Sequence, residues 1–328
     1  MEGNCSVILV IGGAGYIGSH VVKQLVNTEQ VIVYDNLSTG HRKAVDEKAI
    51  FIEGDLANEQ RLTQVFSLFP IDAVLHFASS SLVGESNENP QHYYFNNVVG
   101  TLVLLKVMRA HDVNNIIFSS TAATYAPSNE LLHEQSFVEP LNPYGRSNYF
   151  VELIIEDYAK AYEMNGILLR YFNVAGAHTM AQIGESHIPE THLIPNVLKH
   201  LNGEIFEIPI FGEDFETSDG TCIRDFIHVE DLANAHVLAL ESLLLRETAF
   251  TIYNLSNEQG YSVKEIIEMC EQVTNKKANV KISDRREGDP AILIGSSKKI
   301  QQELGWRAEK NLQQMIEDAW IWHQNPKY

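Results

Sequence analysis

The chain has 328 residues, 45% hydrophobic and 20% charged, a balance that excludes disordered, collagen-like and small disulfide-stapled proteins and allows one large core or two moderate ones. Lys and Arg number 24 against 43 Asp and Glu, a formal net charge of -19, so the average field repels nucleic-acid backbones and anionic lipid surfaces. Any anionic ligand therefore has to be held by locally placed cations. Three scattered cysteines, Cys5, Cys222 and Cys270, form no CxxC pair and are expected to be reduced packing residues. The opening stretch MEGNCSVILVIGG is too short in its apolar part and too acidic at its start for a signal peptide, and no apolar run approaches the ~18 residues of a membrane span, so a cytoplasmic protein is expected.

Strands are predicted in chain order at SVILVIG (6–12), QVIVYD (30–35), AIFIEGD (49–55), AVLHFAS (73–79), NNIIFSS (114–120) and GILLRYFNVAG (166–176). Their continuous apolar, β-branched runs indicate strands buried on both faces, as in a parallel sheet covered by helices. Helical spacing is predicted over 18–28, 97–111 and 144–164, with helix starts at Asn89-Pro90 and Asn142-Pro143. This is the pattern of an α/β, doubly wound Rossmann fold over residues 1–173. From about residue 174 polar, Gly-bearing loops separate shorter apolar segments, which predicts a smaller C-terminal α/β substrate lobe over 174–328. Part of 225–255 is expected to return to the large domain, and a cleft is expected between the two parts.

Gly12, Gly15 and Gly18 follow the first strand directly and open a helix, the setting in which glycines let backbone amides approach a pyrophosphate at a helix N-terminus. Asp35 ends the second strand about 20 residues on, where a carboxylate accepts hydrogen bonds from both ribose hydroxyls and repels a 2′-phosphate, favouring NAD over NADP. An ordinary turn or cap is the alternative for Asp35. Asp55, ending the third strand, is read either as an acceptor for the adenine amino group or as a helix cap.

Ser119-Ser120-Thr121 closes the fifth strand, and Tyr144-Gly145-Arg146-Ser147-Asn148 begins a helix some 20 residues later. A hydroxyl followed by a tyrosine at a helix start suits a nicotinamide enzyme in which the tyrosine moves a proton from a substrate hydroxyl. These residues resemble the extended short-chain dehydrogenase/reductase family. The further segments GGAGYIGSH (12–20), HFA (76–78), VGES (83–86), FSST (118–121), RYFNVAG (170–176), TCIRDFIHVED (221–231) and RREGD (285–289) are similar to its UDP-hexose 4-epimerase branch over nearly the whole chain. The branch's 4,6-dehydratase cousins carry an Asp-Glu pair after the threonine, whereas Ala122-Ala123 stands here.

The resemblance implies an isomerase that interconverts UDP-galactose and UDP-glucose by transient oxidation at C4 with bound NAD. It implies Tyr144 as the proton acceptor and Thr121, with Ser120 nearby, on the 4-hydroxyl; packing or capping is the alternative for Thr121. It places Tyr16, Ile17, Asn36, Leu56, Phe77, Ala78, Ser81, Asn96 and Tyr171 with the glycines and aspartates around the cofactor. The family motif reads Tyr-x-x-x-Lys, and its lysine position is Asn148 here. A lysine there shares a helix face with the tyrosine, holds the nicotinamide ribose and lowers the tyrosine pKa. Asparagine carries no charge, and Arg146 sits about 200° around the helix from Tyr144. Slow or absent turnover is therefore expected, and the competing expectation is a non-catalytic NAD and UDP-sugar binding homologue that acts as a sensor or regulator.

An acidic chain that binds a nucleotide diphosphate needs arginines aimed at the phosphates, and Arg224 and Arg286 are the candidates, with surface salt bridging as the alternative. By resemblance Asn173 meets a phosphate or sugar, Asp289 the uridine ribose, and His192, Leu193 and Phe211 the nucleotide's surroundings; any of these could be structural. Leu293 stands where the family varies the residue facing the sugar 2-substituent, and leucine leaves N-acetylhexosamine or glucuronate substrates open. His187, His192 and His200 are spaced too irregularly to suggest a metal site without carboxylate partners, so no metal is expected. The expected partners are a small-molecule UDP-sugar and a second copy of the chain, docked through a helix pair at 97–109 and 149–162.

Overall fold

Five consecutive apolar residues form β1 (Val7–Ile11), buried along its whole length, and the glycine loop after it leads into α1 (Tyr16–Leu25). β2 (Gln30–Asp35), β3 (Ile50–Glu53), α2 (Glu59–Leu68) and β4 (Ala73–His76) follow. The chain then runs through α3 (Val83–Glu88), α4 (Pro90–Tyr93), a π-helical turn (Tyr94–Val99) and α5 (Gly100–Ala110) to β5 (Asn115–Thr121), α6 (Pro143–Tyr162) and β6 (Asn165–Tyr171). After β6 come β7 (Asn173–Ala175), α7 (Leu193–Leu201), β8 (Ile208–Phe211), β9 (Ile223–His228), α8 (Val229–Leu244) and β10 (Phe250–Leu255). The last third holds β11 (Gly260–Ser262), α9 (Val263–Thr274), β12 (Val280–Ser283), β13 (Ile292–Leu293), α10 (Lys298–Leu304) and α11 (Leu312–Gln324). The computed structural model describes residues 5–245, 249–286 and 289–328; Glu287 and Gly288 of the RREGD segment lie outside the described residues.

Two units divide the chain: Met1–Thr124 with Val138–Arg170 and Ala233–Tyr253, and Tyr125–Phe137 with Tyr171–Leu232 and Asn254–Tyr328. In the first, the sheet order is β3-β2-β1-β4-β5-β6-β10. β1 pairs in parallel with both β2 and β4, so Ile11 stands level with Tyr34 on one side and His76 on the other. The order runs outward from β1 to β2 and β3 and, in the other direction, from β4 to β6, so the winding reverses between β1 and β4. Ligands of such sheets bind beyond the carboxyl ends of the strands at that reversal. Leu9, Ile11, Ile32, Val74, Leu104, Met108, Ile116, Val151 and Leu168 fill the core beneath it.

Local chemistry sets the helix ends. Asn142 accepts a hydrogen bond from the Gly145 amide and Pro143 occupies the first turn of α6, as its start predicts. That helix stops at Tyr162, not 164, because Glu163 takes a left-handed backbone (φ 55°). α1 likewise stops at Leu25, where the Thr28 amide turns back to the Leu25 carbonyl. Over 97–111 the first three residues belong to the π-helical turn, and regular α-helix begins only at Gly100.

In the second unit β9 pairs antiparallel with β11 and parallel with β7 and β13, while β8 and β12 form a separate parallel pair. α7, α9 and α11 pack through Ile194, Val197, Leu198, Ile266, Cys270, Met315 and Ile316. Capping boxes at Ser262/Glu265 and Asn311/Gln314 start α9 and α11. The three cysteines carry free thiols, with Cys222 and Cys270 buried and Cys5 exposed. No helix among the described residues is long and apolar enough to cross a membrane.

Candidate active site

Gly12 adopts φ 79°, and a Cβ there would stand 2.6 Å from the Ala78 amide nitrogen; a Cβ at Gly18 would stand 2.3 Å from the Gly12 carbonyl oxygen. Only glycine allows the loop after β1 to lie this close to the end of β4 and α1 to pack this close to the loop. Gly15 is the N-cap of α1 and Tyr16 and Ile17 open its first turn, which contains no acidic residue to compete with an anion for the helix N-terminus.

Asp35 is 8% exposed, and its two carboxylate oxygens accept hydrogen bonds from the amides of Ala14 (2.9 Å) and Leu37 (2.8 Å). It thus ties the glycine loop to the end of β2, and each oxygen keeps a further acceptor site. Burial raises its pKa, against the pull of those two amides. Asp55 accepts from the Ala57 amide and from the Asn36 side chain at 2.9 Å, while Asn58 caps α2 by accepting from the Arg61 amide. Asp55 is therefore an Asx-turn residue beside the cap, not the cap. Leu56 is buried next to it. Phe77 continues β4 through its amide to the Ile11 carbonyl, and its ring lies 4.9 Å from that of His236. Ser81 is exposed, and the Asn96 side chain donates to that of Asn97.

At the end of β5 the Thr121 hydroxyl accepts from the Ala123 amide at 3.1 Å and hydrogen-bonds the Tyr144 phenol in the first turn of α6. Burial raises the phenol's pKa, the Thr121 hydrogen bond partly opposes it, and no cation among the described residues acts on it. Asn148, 1% exposed, donates its amide back to the Tyr144 carbonyl at 3.0 Å. Arg146 is exposed and turned to the Leu141 carbonyl. Ser120 does not join Thr121 and Tyr144: its hydroxyl donates to Glu152 at 2.5 Å, and Glu152 holds Arg170 through two hydrogen bonds, all three residues buried.

Sequence reading missed two supports of this centre. Asn97 accepts from the Ser80 amide and donates to the Ser80 carbonyl and the Ser147 hydroxyl, joining the loop after β4 to the first turn of α6. The Glu152–Arg170 pair joins α6 to β6. For that ion pair the available signal was a charge at a core position of each element's apolar pattern.

In the second unit Asn173 opens β7 opposite Phe226, two residues after Tyr171 ends β6. Arg224 donates one guanidinium nitrogen to the carbonyls of Ile223 and Pro290 and aims another at Asp289, 3.7 Å away. Leu293 stands level with Arg224 across the β9–β13 pair. The Arg286 guanidinium lies over the Phe211 ring, 3.8 Å from its centroid. Burial raises the Cys222 thiol pKa, with the charges of Arg224, Asp289 and Arg286 acting on it as smaller influences. His192 is the N-cap residue of α7 and Leu193 its first residue. Although irregular spacing argues against a metal, the structure brings His187 and His192 together with the carboxylates of Glu185 and Glu190, while His200 is held apart by the Ile205 carbonyl and the Asn279 amide.

Residues 8–255 match the NAD dependent epimerase/dehydratase family. The chain belongs to that family. Among relatives, the UDP-glucose 4-epimerase of Halalkalibacterium halodurans is 50% identical over 319 residues, 96% of this chain and 95% of that one. The UDP-glucose 4-epimerase of Streptococcus mutans is 46% identical over 321 residues, 96% of each chain. Among solved structures, UDP-glucose 4-epimerase from Bifidobacterium longum in complex with NAD+ and UDP superposes with a TM-score of 0.93 at 36% identity, covering 98% of this chain and 99% of that one. The matched span takes in the glycine loop and the parallel strands β1 to β5, and within it Asn148 stands where the Tyr-x-x-x-Lys motif has its lysine.

Proposed function

We propose that the chain is an NAD-dependent UDP-hexose 4-epimerase that interconverts UDP-galactose and UDP-glucose. The observation that carries this reading is the Thr121–Tyr144 hydroxyl pair at the carboxyl end of β5, on the same sheet edge as the glycine loop and Asp35. The residues fit the cofactor: Gly12 and Gly18 leave no room for a Cβ, α1 presents its N-terminus, and Asp35 supplies the ribose acceptor. NAD, when bound, supplies a reversible hydride acceptor for a sugar carbon.

The remaining steps belong to the chain. Asp35 selects a ribose without a 2′-phosphate, because the carboxylate repels a second anion. Tyr144 holds and moves the proton of the sugar 4-hydroxyl, and Thr121 orients that hydroxyl and the phenol together. Arg224 and Arg286 meet the diphosphate, with Phe211, His192 and Leu193 around the nucleotide, Asp289 at the uridine ribose, and Asn173 and Leu293 toward the sugar. Ser120 acts as an anchor for Glu152 instead of a proton relay.

The reading extends to a cytoplasmic homodimer. Phe95, Val99, Leu102, Phe150, Leu153 and Tyr162 are exposed apolar residues on the π-helical turn, α5 and α6, the helix pair expected to dock a second copy.

A second reading rests on Asn148. With no cation among the described residues acting on the Tyr144 phenol, the same residues suit a protein that binds NAD and a UDP-sugar without turning it over. Conversion of UDP-galactose to UDP-glucose by the NAD-loaded protein tests the first reading: measurable conversion supports epimerisation. Tight UDP-sugar binding with no conversion transfers the assignment to the second.

A further inference from the structure

The loop that leads into α7 carries two histidines and two glutamates within eight residues, Glu185, His187, Glu190 and His192, and one donor atom from each lies within 4.8 Å of all the others. The individual separations are 3.3 Å between His187 Nδ1 and Glu185, 3.9 Å between His187 Nδ1 and Glu190 Oε2, and 2.8 and 3.0 Å from His192 Nδ1 to Glu185 and Glu190 Oε1. A tetrahedral zinc ion with bonds of ~2.0 Å holds its donors about 3.3 Å apart, inside this spread. The rings of His187 and His192 lie 5.4 Å apart between centroids, tilted by 52°.

A second observation points into the same space. The Glu190 side chain is 3% exposed. Its Oε1 accepts from the amides of Thr191 and His192 and from the His192 ring, while its Oε2 is buried with no hydrogen-bond partner. A buried carboxylate oxygen left open is destabilising, the more so when charged, unless something meets it. Among the described residues, the ion pairs of Glu185 and Glu190 are with these two histidines alone. A second group, His228, Glu230 and Asp318, differs: the Lys310 ammonium already stands 2.6 Å from Glu230 and 2.9 Å from Asp318, so a metal there meets a resident cation.

We propose that Glu185, His187, Glu190 and His192 form a binding site for one divalent transition ion, zinc by its mixed nitrogen and oxygen donors and its four-donor count. The N-terminus of α7 adds a partial positive charge of about half a unit, which two carboxylates outweigh. The ion is structural: all four ligands come from the protein, leaving no open position for chemistry. It fastens the loop at the point where His192 and Leu193 start α7.

The test uses the full chain, stripped with chelator, dialysed against zinc alone and assayed by mass spectrometry for bound metal, beside His187→Asn and the isosteric Glu190→Gln. One equivalent of zinc per chain is expected for the native sequence, with affinity reduced about tenfold or more in each variant and a zinc-dependent rise in melting temperature only in the native sequence. Cobalt in place of zinc is expected to give the intense visible bands of a tetrahedral ion. Substoichiometric zinc in the native sequence, or equal retention by both variants, overturns the proposal and leaves the group as a histidine–glutamate ion-pair cluster.

Discussion

Replacing Asn148 with lysine isolates the chemistry of the centre. An ordinary phenol has a pKa of about 10, so about one Tyr144 side chain in 10³ is ionised at pH 7, a handicap of roughly 4 kcal/mol at 1.36 kcal/mol per unit. Burial moves the phenol further in that direction, and the Thr121 hydrogen bond opposes it. An ammonium four residues along the same helix face stands about 6 Å away and lowers a neighbouring acid by about 1–3 units. Asn148→Lys is therefore expected to raise kcat about 10- to 10³-fold at pH 7. The assay is conversion of UDP-galactose to UDP-glucose from pH 6 to 9, with cofactor content measured in both proteins. In the native sequence kcat is expected to climb about tenfold per pH unit, because the reactive phenolate is the form favoured at high pH. In the variant the profile flattens. Equal kcat at pH 7 and equal slopes in two folded, NAD-loaded proteins would refute the reasoning.

Asp35→Ala removes an acceptor and two backbone hydrogen bonds, and is expected to weaken NAD binding by about 1.5–3 kcal/mol; unchanged retention by fluorescence titration rules out the ribose contact. Arg224→Ala is expected to weaken UDP binding by a similar amount, measured by calorimetry, while an unchanged Kd returns the residue to a structural role. Asp225 is fully buried, and burial pushes its pKa up to about 7 against hydrogen bonds from Ser256 and Asn257. Its folded pKa lies above its unfolded one, so the folded state binds the extra proton and its contribution to stability declines as pH rises from about 4 to 7. Asp225→Asn is expected to abolish that slope in denaturant titrations, and an unchanged slope contradicts the assignment.

The sheet was legible because strands buried on both faces read as unbroken apolar runs, and Val7–Ile11 is buried at every position. The glycine loop was legible because its constraint is steric and local. Asn142-Pro143 announced α6 for the same reason, through a cap and a fixed φ. What the chain order hides is pairing across distance: Ser120 with Glu152, 32 residues on, and Asn97 with Ser147, 50 residues on. Neither pairing has a local signature, which is why Ser120 read as a neighbour of the reacting hydroxyl instead of an anchor. The expectation of no metal at the histidine loop rested on spacing. Its spacing matches no regular element, and only the folded loop turns Glu185 and Glu190 toward the rings.

Tyr144, Asn148 and Glu152 occupy successive turns along one stripe of α6, and the last of them, about 12 Å along the helix axis from Tyr144, is clamped by Arg170 and Ser120. The helix is indexed from its midpoint, like a ruler pinned at one mark. Its middle position is then a socket: the occupant can change from ammonium to amide without sliding the phenol along the sheet. Geometry and reactivity are set by different residues, so a lineage can retune or silence the reaction by one substitution while the scaffold and its ligand contacts persist.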